Sequence, residues 1–133
     1  MADQLRKISF DDGETRLFEG GAGQAEIVNT PHGPVGRGTF LPGWRWSEHV
    51  KPIAGTDSCR ASHVAYVVSG RMTLTMDDGT SQQFGPGDLM IAAAGHDAAV
   101  DGDEPCVIVD WEGAADYARR PVLSSFTRLS DDD

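Results

Sequence analysis

The sequence predicts an all-β chain folded as a small antiparallel β-barrel. Three observations carry this. Over residues 63–77, apolar residues recur with a period of two on either side of Gly70. Two sharp turns follow, Asp78-Gly79 and Gly85-Pro86-Gly87-Asp88, one short strand apart. The 133 residues also include 16 Gly and 7 Pro, which suits short strands joined by many turns.

Up to residue 25 the chain is mixed and polar, with Ile8, Phe10, Leu17 and Phe18 as scattered anchors and a strand expected near 16–18. Residues 20–23 (GGAG) read as a loop and 26–29 as a strand. Residues 30–36 hold two prolines and two glycines and read as a turn. A short strand over 38–41 leads into Pro42-Gly43. Trp44 and Trp46 are two residues apart and share one face if extended. Pro52 and Gly55 interrupt any regular strand there, and 57–63 reads as extended again.

In the next strand Val64, Tyr66 and Val68 alternate with His63, Ala65 and Val67. Both faces are largely apolar, so burial on both sides is expected. After Gly70, Met72, Leu74 and Met76 alternate with Arg71, Thr73, Thr75 and Asp77, one face in and one face out. Residues 81–84 return antiparallel, and 89–94 form a short apolar strand that completes a meander. Strands are expected from residue 98 and over 106–111 (CVIVDW). Residues 114–119 read as a helical turn or two, and the acidic end as frayed.

The length suits one core and one domain. The net charge of −10 argues against partners rich in phosphate, both nucleic acids and anionic membranes. The first residues (MADQLRKIS) have no apolar signal region, and the longest apolar run, 89–94, is far below the ~20 residues of a membrane span. Two cysteines, Cys59 and Cys106, are too few for a disulfide scaffold. A cytoplasmic protein with free thiols is expected.

The order His63-x2-Tyr66-Val67-Val68-x-Gly70, then Asp78-Gly79, then Pro86-Gly87-Asp88 resembles the cupin family, from Pro42-Gly43 to Trp111. The resemblance implies a jelly roll, the cupin-like double-stranded β-helix, in one domain over 1–133. Its barrel core covers about 38–111, with N-terminal strands in 1–37 and a C-terminal tail in 112–133. It also implies metal ligands on inward positions of neighbouring strands. The family's first motif, G-x5-H-x-H-x3/4-E-x6-G, can be laid on the chain in two ways. Counting from Gly43 puts His49 at the first histidine and Lys51 at the second. Counting back from Gly70 puts His63 at the glutamate, Cys59 at the second histidine and Asp57 at the first, with no gap, and this register is favoured. In the second motif, G-x5-P-x-G-x2-H-x3-N, Ala93, Ala98 and Gly102 replace the usual Pro, His and Asn, while Gly95 fits. His96, two residues before Ala98, can face the same cavity.

The candidate metal set is therefore Asp57, Cys59, His63 and His96, with His49 as a substitute. These donors suit a divalent Zn, Fe, Mn or Ni ion. Each has a plainer reading beside it. His63 can be a satisfied core histidine and Cys59 a small buried hydrophobe. Asp57 can close an Asx turn, His96 can cap a turn, and His49 can be a solvated loop residue. Asp97 either orients a histidine or serves its turn. Trp44, Trp46, Tyr66 and Trp111 are candidates for an apolar pocket wall, with Tyr66 also placed in the core or an interface because its parity is opposite to that of His63. A Cys59–His63 nucleophile is discounted, since an extended chain would hold the two about 13 Å apart.

Two readings of function follow. In the first, His63 and His96 hold a metal and act on a small organic molecule, as in an oxygenase, isomerase or lyase; without metal either histidine can serve as a general base. In the second, the cup is a metal-free binding or sensor module without catalysis. Beside these stands a structural or assembly role in which the barrel serves mainly to dimerise: small cupins often pair through their outer sheet, an edge strand in the N-terminal forty residues can do that, and a homodimer is expected.

Overall fold

The computed structural model describes residues 5–114 and 117–118. Its strands run β1 (Glu14–Leu17), β2 (Gly23–Thr30), β3 (Gly33–Phe40), β4 (His63–Ser69), β5 (Arg71–Met76), β6 (Ser81–Phe84), β7 (Leu89–Ala92), β8 (His96–Asp101) and β9 (Cys106–Glu112). All described pairings are antiparallel, in a six-stranded sheet β1-β2-β3-β9-β4-β7 and a three-stranded sheet β6-β5-β8. The two sheets are not joined into a closed cylinder among the described residues. Their inner faces enclose a cup, as in a jelly roll.

Alternation decides what enters the cup. Ala25 and Ile27 of β2, Phe40 of β3, Ala65 and Val67 of β4, Met72 and Leu74 of β5, Met90 of β7 and Ile108 of β9 are all buried in one cluster. Phe18, Phe40 and Trp44 pack together within it, with ring centroids 4.5 to 5.9 Å apart. Burying these side chains contributes about 1.5–3 kcal/mol each. The turn between β2 and β3 is tighter than 30–36: β3 already begins at Gly33, so its proline and glycines lie within a strand.

Two expectations fail. The first is burial of β4 on both faces. His63, Ala65 and Val67 point inward, but Tyr66 is 42% exposed and Val68 49%. An apolar outer face is therefore open beside β7 and β9, and Tyr66 lines no part of the cup. The second is the irregular chain after Pro42-Gly43. It forms two short helices, α1 (Trp46–His49) and α2 (Lys51–Ala54). Pro52 sits in the first turn of α2 and Gly55 ends it at φ +77°, where proline and glycine favour rather than oppose a helix. The Asp97 carboxylate accepts from the Ser47 N–H at 3.0 Å and so ties the start of α1 to β8. Ala114, Tyr117 and Ala118 lie in turns; the rest of 114–119 and the acidic end fall outside the described residues.

Gly70 joins β4 to β5 at φ +75°. A Cβ there would lie 2.2 Å from the Pro105 carbonyl oxygen and 2.5 Å from Cys106 Cα. Only glycine supplies both the dihedral and the close approach.

Candidate metal centre

Cys59, His63 and His96 each offer a ligand atom, and these atoms lie within 4.8 Å of one another, all three residues buried. They come from three places in the fold. His63 opens β4, and its inward parity puts the ring in the cup. His96 opens β8, after Gly95 at φ +96°. Cys59 belongs to no strand. A two-residue bridge fixes it instead: its N–H donates to the His96 carbonyl at 2.8 Å, and its carbonyl accepts from Gly95 at 2.7 Å.

That bridge overturns the extended reading of 57–63. The chain bends between Cys59 and His63, and Cys59 Sγ lies 3.7 Å from His63 Nε2. The discounted cysteine–histidine pair is therefore in contact. Asp57 is exposed and outside the cluster. His49 is also outside it: its Nδ1 accepts from the Arg45 N–H at 2.9 Å, within its own helical turn. Asp97 orients no histidine, being occupied with Ser47 and Ala98.

Each imidazole is held at its far nitrogen. His63 Nδ1 lies 2.5 Å from Asp110 Oδ2, and His96 Nδ1 donates to the Ala93 carbonyl at 2.8 Å. Both rings thus turn their Nε2 edges toward the shared space. Asp110 was not singled out from the sequence, yet the signal was there. In CVIVDW it shares the inward parity of Cys106 and Ile108, and a carboxylate on a buried face needs a partner.

The cluster is electrostatically coupled. Burial would push the Cys59 thiol up, but hydrogen bonds from His63 and His96 outweigh it and bring it down to about 6. Burial likewise disfavours a charged His63, but hydrogen bonds to Asp110 and Cys59 raise it to about 9. Near neutral pH the pair is therefore a thiolate beside an imidazolium. Cys106 is the contrast: burial, helped by Asp101, pushes it up to about 11, and its thiol is free, as is that of Cys59.

In front of the histidines lies a cavity of about 40 Å³. That is room for about three waters at the ~10–15 Å³ each needs. His63, His96 and Asp110 line it, together with Trp44, Trp46, Phe40, Met72, Leu74, Met90 and Ile108. Of the three tryptophans expected in a pocket wall, Trp44 and Trp46 are there, 1% and 2% exposed, whereas Trp111 faces out at 47%. Tyr117 packs at the same place, its ring 5.6 Å from that of His63, and Arg16 donates to its carbonyl at 2.8 Å. Nothing in the sequence marked Tyr117 for this position.

The donor set fits a transition metal. Two imidazoles and one thiolate match the ligand types of three-ligand catalytic zinc sites, which keep a fourth position open.

The family model of the EutQ-like cupin domain matches residues 49–108. No curated protein matches the chain. Similar solved structures include the polyketide cyclase RemF from Streptomyces resistomycificus, 16% identical over 92% of this chain and 89% of that one, TM-score 0.58. A double-stranded β-helix protein from Klebsiella pneumoniae is 22% identical over 88% of this chain and 91% of that one, TM-score 0.55. A sugar phosphate isomerase of the cupin superfamily from Silicibacter pomeroyi is 20% identical over 79% and 73%, TM-score 0.53. At these identities the likeness shows the fold.

Proposed function

We propose that the cup of this cupin-like fold binds a divalent transition metal through Cys59, His63 and His96 and presents it to a small organic molecule. One observation carries the reading: three buried donors converge within 4.8 Å, with both imidazoles anchored at Nδ1. A bound metal would supply Lewis-acid polarisation of a ligand oxygen. Asp110 holds the His63 ring and keeps its Nδ1 protonated. The apolar wall excludes bulk water. Cys59 and His63 can hold or pass a proton at Sγ and Nε2. Among oxygenase, isomerase and lyase, proton-moving isomerase or lyase chemistry suits these groups best.

Elemental analysis of the purified protein tests this. One zinc, iron, manganese or nickel per chain, lost in His63→Ala and in Cys59→Ala, is the expected result. Clean metal-free protein that takes up none of these ions from solution would end the reading.

The contact of Cys59 with His63, and of His63 with Asp110, supports a second, metal-free reading. Here the thiol, imidazole and carboxylate form a nucleophile, a base and an orienting group in one line. Chemistry that persists in metal-stripped protein and stops in Cys59→Ala would favour it.

We also propose a homodimer in the cytoplasm. The outer face of β9, β4 and β7 carries Trp111, Val68, Tyr66, Leu89 and Ile91 exposed, with Leu89 and Val109 flanking Tyr66 in register. β7 ends its sheet, so its outer edge is unpaired among the described strands. In a chain of net charge −10, an uncharged face is where a second copy can approach without repulsion. Two free thiols suit a reducing compartment.

A further inference from the structure

The Tyr117 ring is boxed in by other rings. Phe18, Phe40 and His63 stand at 89°, 71° and 75° to it, with centroids 6.1, 6.3 and 5.6 Å away. Edge-to-face contacts at these separations are favoured beyond the area they bury. Together the three rings frame a slot for one flat ring, set against an imidazole of the candidate metal centre.

The bonds that hold Tyr117 act on its backbone. Its carbonyl accepts from Arg16 at 2.8 Å. The Ala114 carbonyl accepts from Arg16 at 3.2 Å and from the Tyr117 N–H at 3.4 Å. Among the described residues no hydrogen bond anchors the phenol itself, so packing keeps the ring in place. Tyr117 is also only partly buried, whereas Phe18 and Phe40 are buried outright. A partly exposed ring held by packing can turn out about its side-chain torsions while the backbone stays tied.

The space around the ring says why it would need to. The cavity before the histidines holds about three waters, too few for an organic molecule of more than about three non-hydrogen atoms. A second hollow, of about 230 Å³, lies beside α2 and is lined by Val50, Ala54, Cys59 and Ala61. Trp46 and Tyr117 line both. We propose that the slot between Phe18, Phe40 and His63 binds a flat aromatic ring of the ligand, and that Tyr117 fills it until the ligand displaces it. The tyrosine side chain turns out, the two hollows join, and the ligand's ring takes its place against His63. This rests on the reading that the cup holds a small organic molecule, and adds its chemical class and the residue that admits it.

The test uses the full chain carrying 3-fluorotyrosine, which has two fluorine resonances because Tyr66 and Tyr117 are its two tyrosines. Tyr117→Phe, which keeps a ring in the slot, identifies the Tyr117 resonance by its disappearance. The probes are p-cresol, which is flat, and 4-methylcyclohexanol, which has the same heavy atoms but is puckered. In the wild type, p-cresol should move the Tyr117 resonance to the position of free 3-fluorotyrosine and leave that of Tyr66 in place. It should bind about five- to tenfold tighter than 4-methylcyclohexanol. Tyr117→Ala should bind p-cresol about 10–100-fold tighter than the wild type, since no ring must first be displaced. A Tyr117 resonance unmoved at the solubility limit of p-cresol, equal binding of the two probes, or a shift of Tyr66 alone overturns the proposal even if Tyr117→Ala does not fold. So does a folded Tyr117→Ala that binds p-cresol no tighter than the wild type. Metal content is read separately. A metal-free chain whose Tyr117 yields to p-cresol would refute the metal centre and leave the slot standing, and a metal-loaded chain whose Tyr117 never moves would do the reverse.

Discussion

His63 Nδ1 and Asp110 Oδ2 meet at 2.5 Å across the seam between β4 and β9. Asp110 also accepts from the Glu112 N–H at 2.9 Å through its other oxygen, so the carboxylate is fixed before it fixes the ring. Asp110→Asn keeps the shape and removes the charge. A ligand imidazole that loses its carboxylate partner is less basic and less well oriented, and zinc affinity should fall about 10–100-fold. Competition against a chromophoric chelator measures this. Asp97→Asn is the control, since Asp97 ties α1 to β8 and touches no donor; it should lower stability and leave zinc affinity in place. Equal affinities in wild type and Asp110→Asn would remove Asp110 from the site.

The thiolate–imidazolium pair makes a prediction about pH in the metal-free protein. Cys59 has a folded value of about 6, below its ordinary 9.0. Taken alone, it gives stability that is complete above 9 and is lost as pH falls toward 6. His63 has a folded value of about 9, above its ordinary 6.5. Taken alone, it gives stability that is complete below 6.5 and is lost as pH rises through 9. Between 6.5 and 9 the folded and unfolded pair bind the same number of protons, one each, so the two slopes cancel. The pair should leave the urea midpoint nearly level over that range. Cys59→Ser removes one slope, and its stability should fall with rising pH while Asp110 still holds the His63 proton. A thiolate absorbance near 240 nm should titrate at about 6 in the wild type and vanish in the variant. A first thiol titrating above pH 8 would mean the ion pair does not form.

How much of this could be read from the sequence follows from which signals are local. Period-two alternation is local, so β5, β9 and the inward face of β4 were legible, as were His63 and the cup-facing tryptophans. The outer face of β4 was misread because Tyr66 and Val68 look the same whether a neighbouring layer covers them or not. The Cys59–His63 contact was misread because Cys59 sits in a bridge to His96, far along the chain, and not in an extended run into β4. Asp57 and His49 were drawn in by motif spacing that assumes an unbroken strand. Asp110 could have been found, because a carboxylate in phase with Cys106 and Ile108 conflicts with a buried face. Trp44 was placed in the wall, but that the Tyr117 ring packs against His63 is a property of the assembled fold.

Gly70 carries two separable demands. Its φ of +75° costs an ordinary residue about 1–3 kcal/mol. A Cβ would also collide with backbone at Pro105 and Cys106, which cannot rotate away. Gly87 has φ +91° and open space around its missing Cβ. Gly87→Ala should show the dihedral cost alone, and Gly70→Ala that cost plus the clash, so the second should lower the urea midpoint clearly more. Equal losses would mean the approach of the β4–β5 turn to the start of β9 is looser than these distances imply.

The outer face makes the last prediction. Ile91 is 73% exposed and Leu89 56%, both on the edge strand β7, beside Tyr66 and Val64 in register. Exposed apolar side chains on an unblunted edge invite pairing, and a second copy related by a two-fold axis brings β7 antiparallel to β7 and continues the sheet. A charge at the centre of such a seam meets its own image across the axis. Ile91→Glu should therefore convert a dimer of about twice the chain mass into a monomer, read by light scattering during size exclusion, at little cost to the fold because the side chain already faces solvent. The same change at Gln82, exposed on β6 in the other sheet, should leave the mass unaltered. A wild-type chain that elutes as a monomer at tens of micromolar would show that this face meets something other than its own copy.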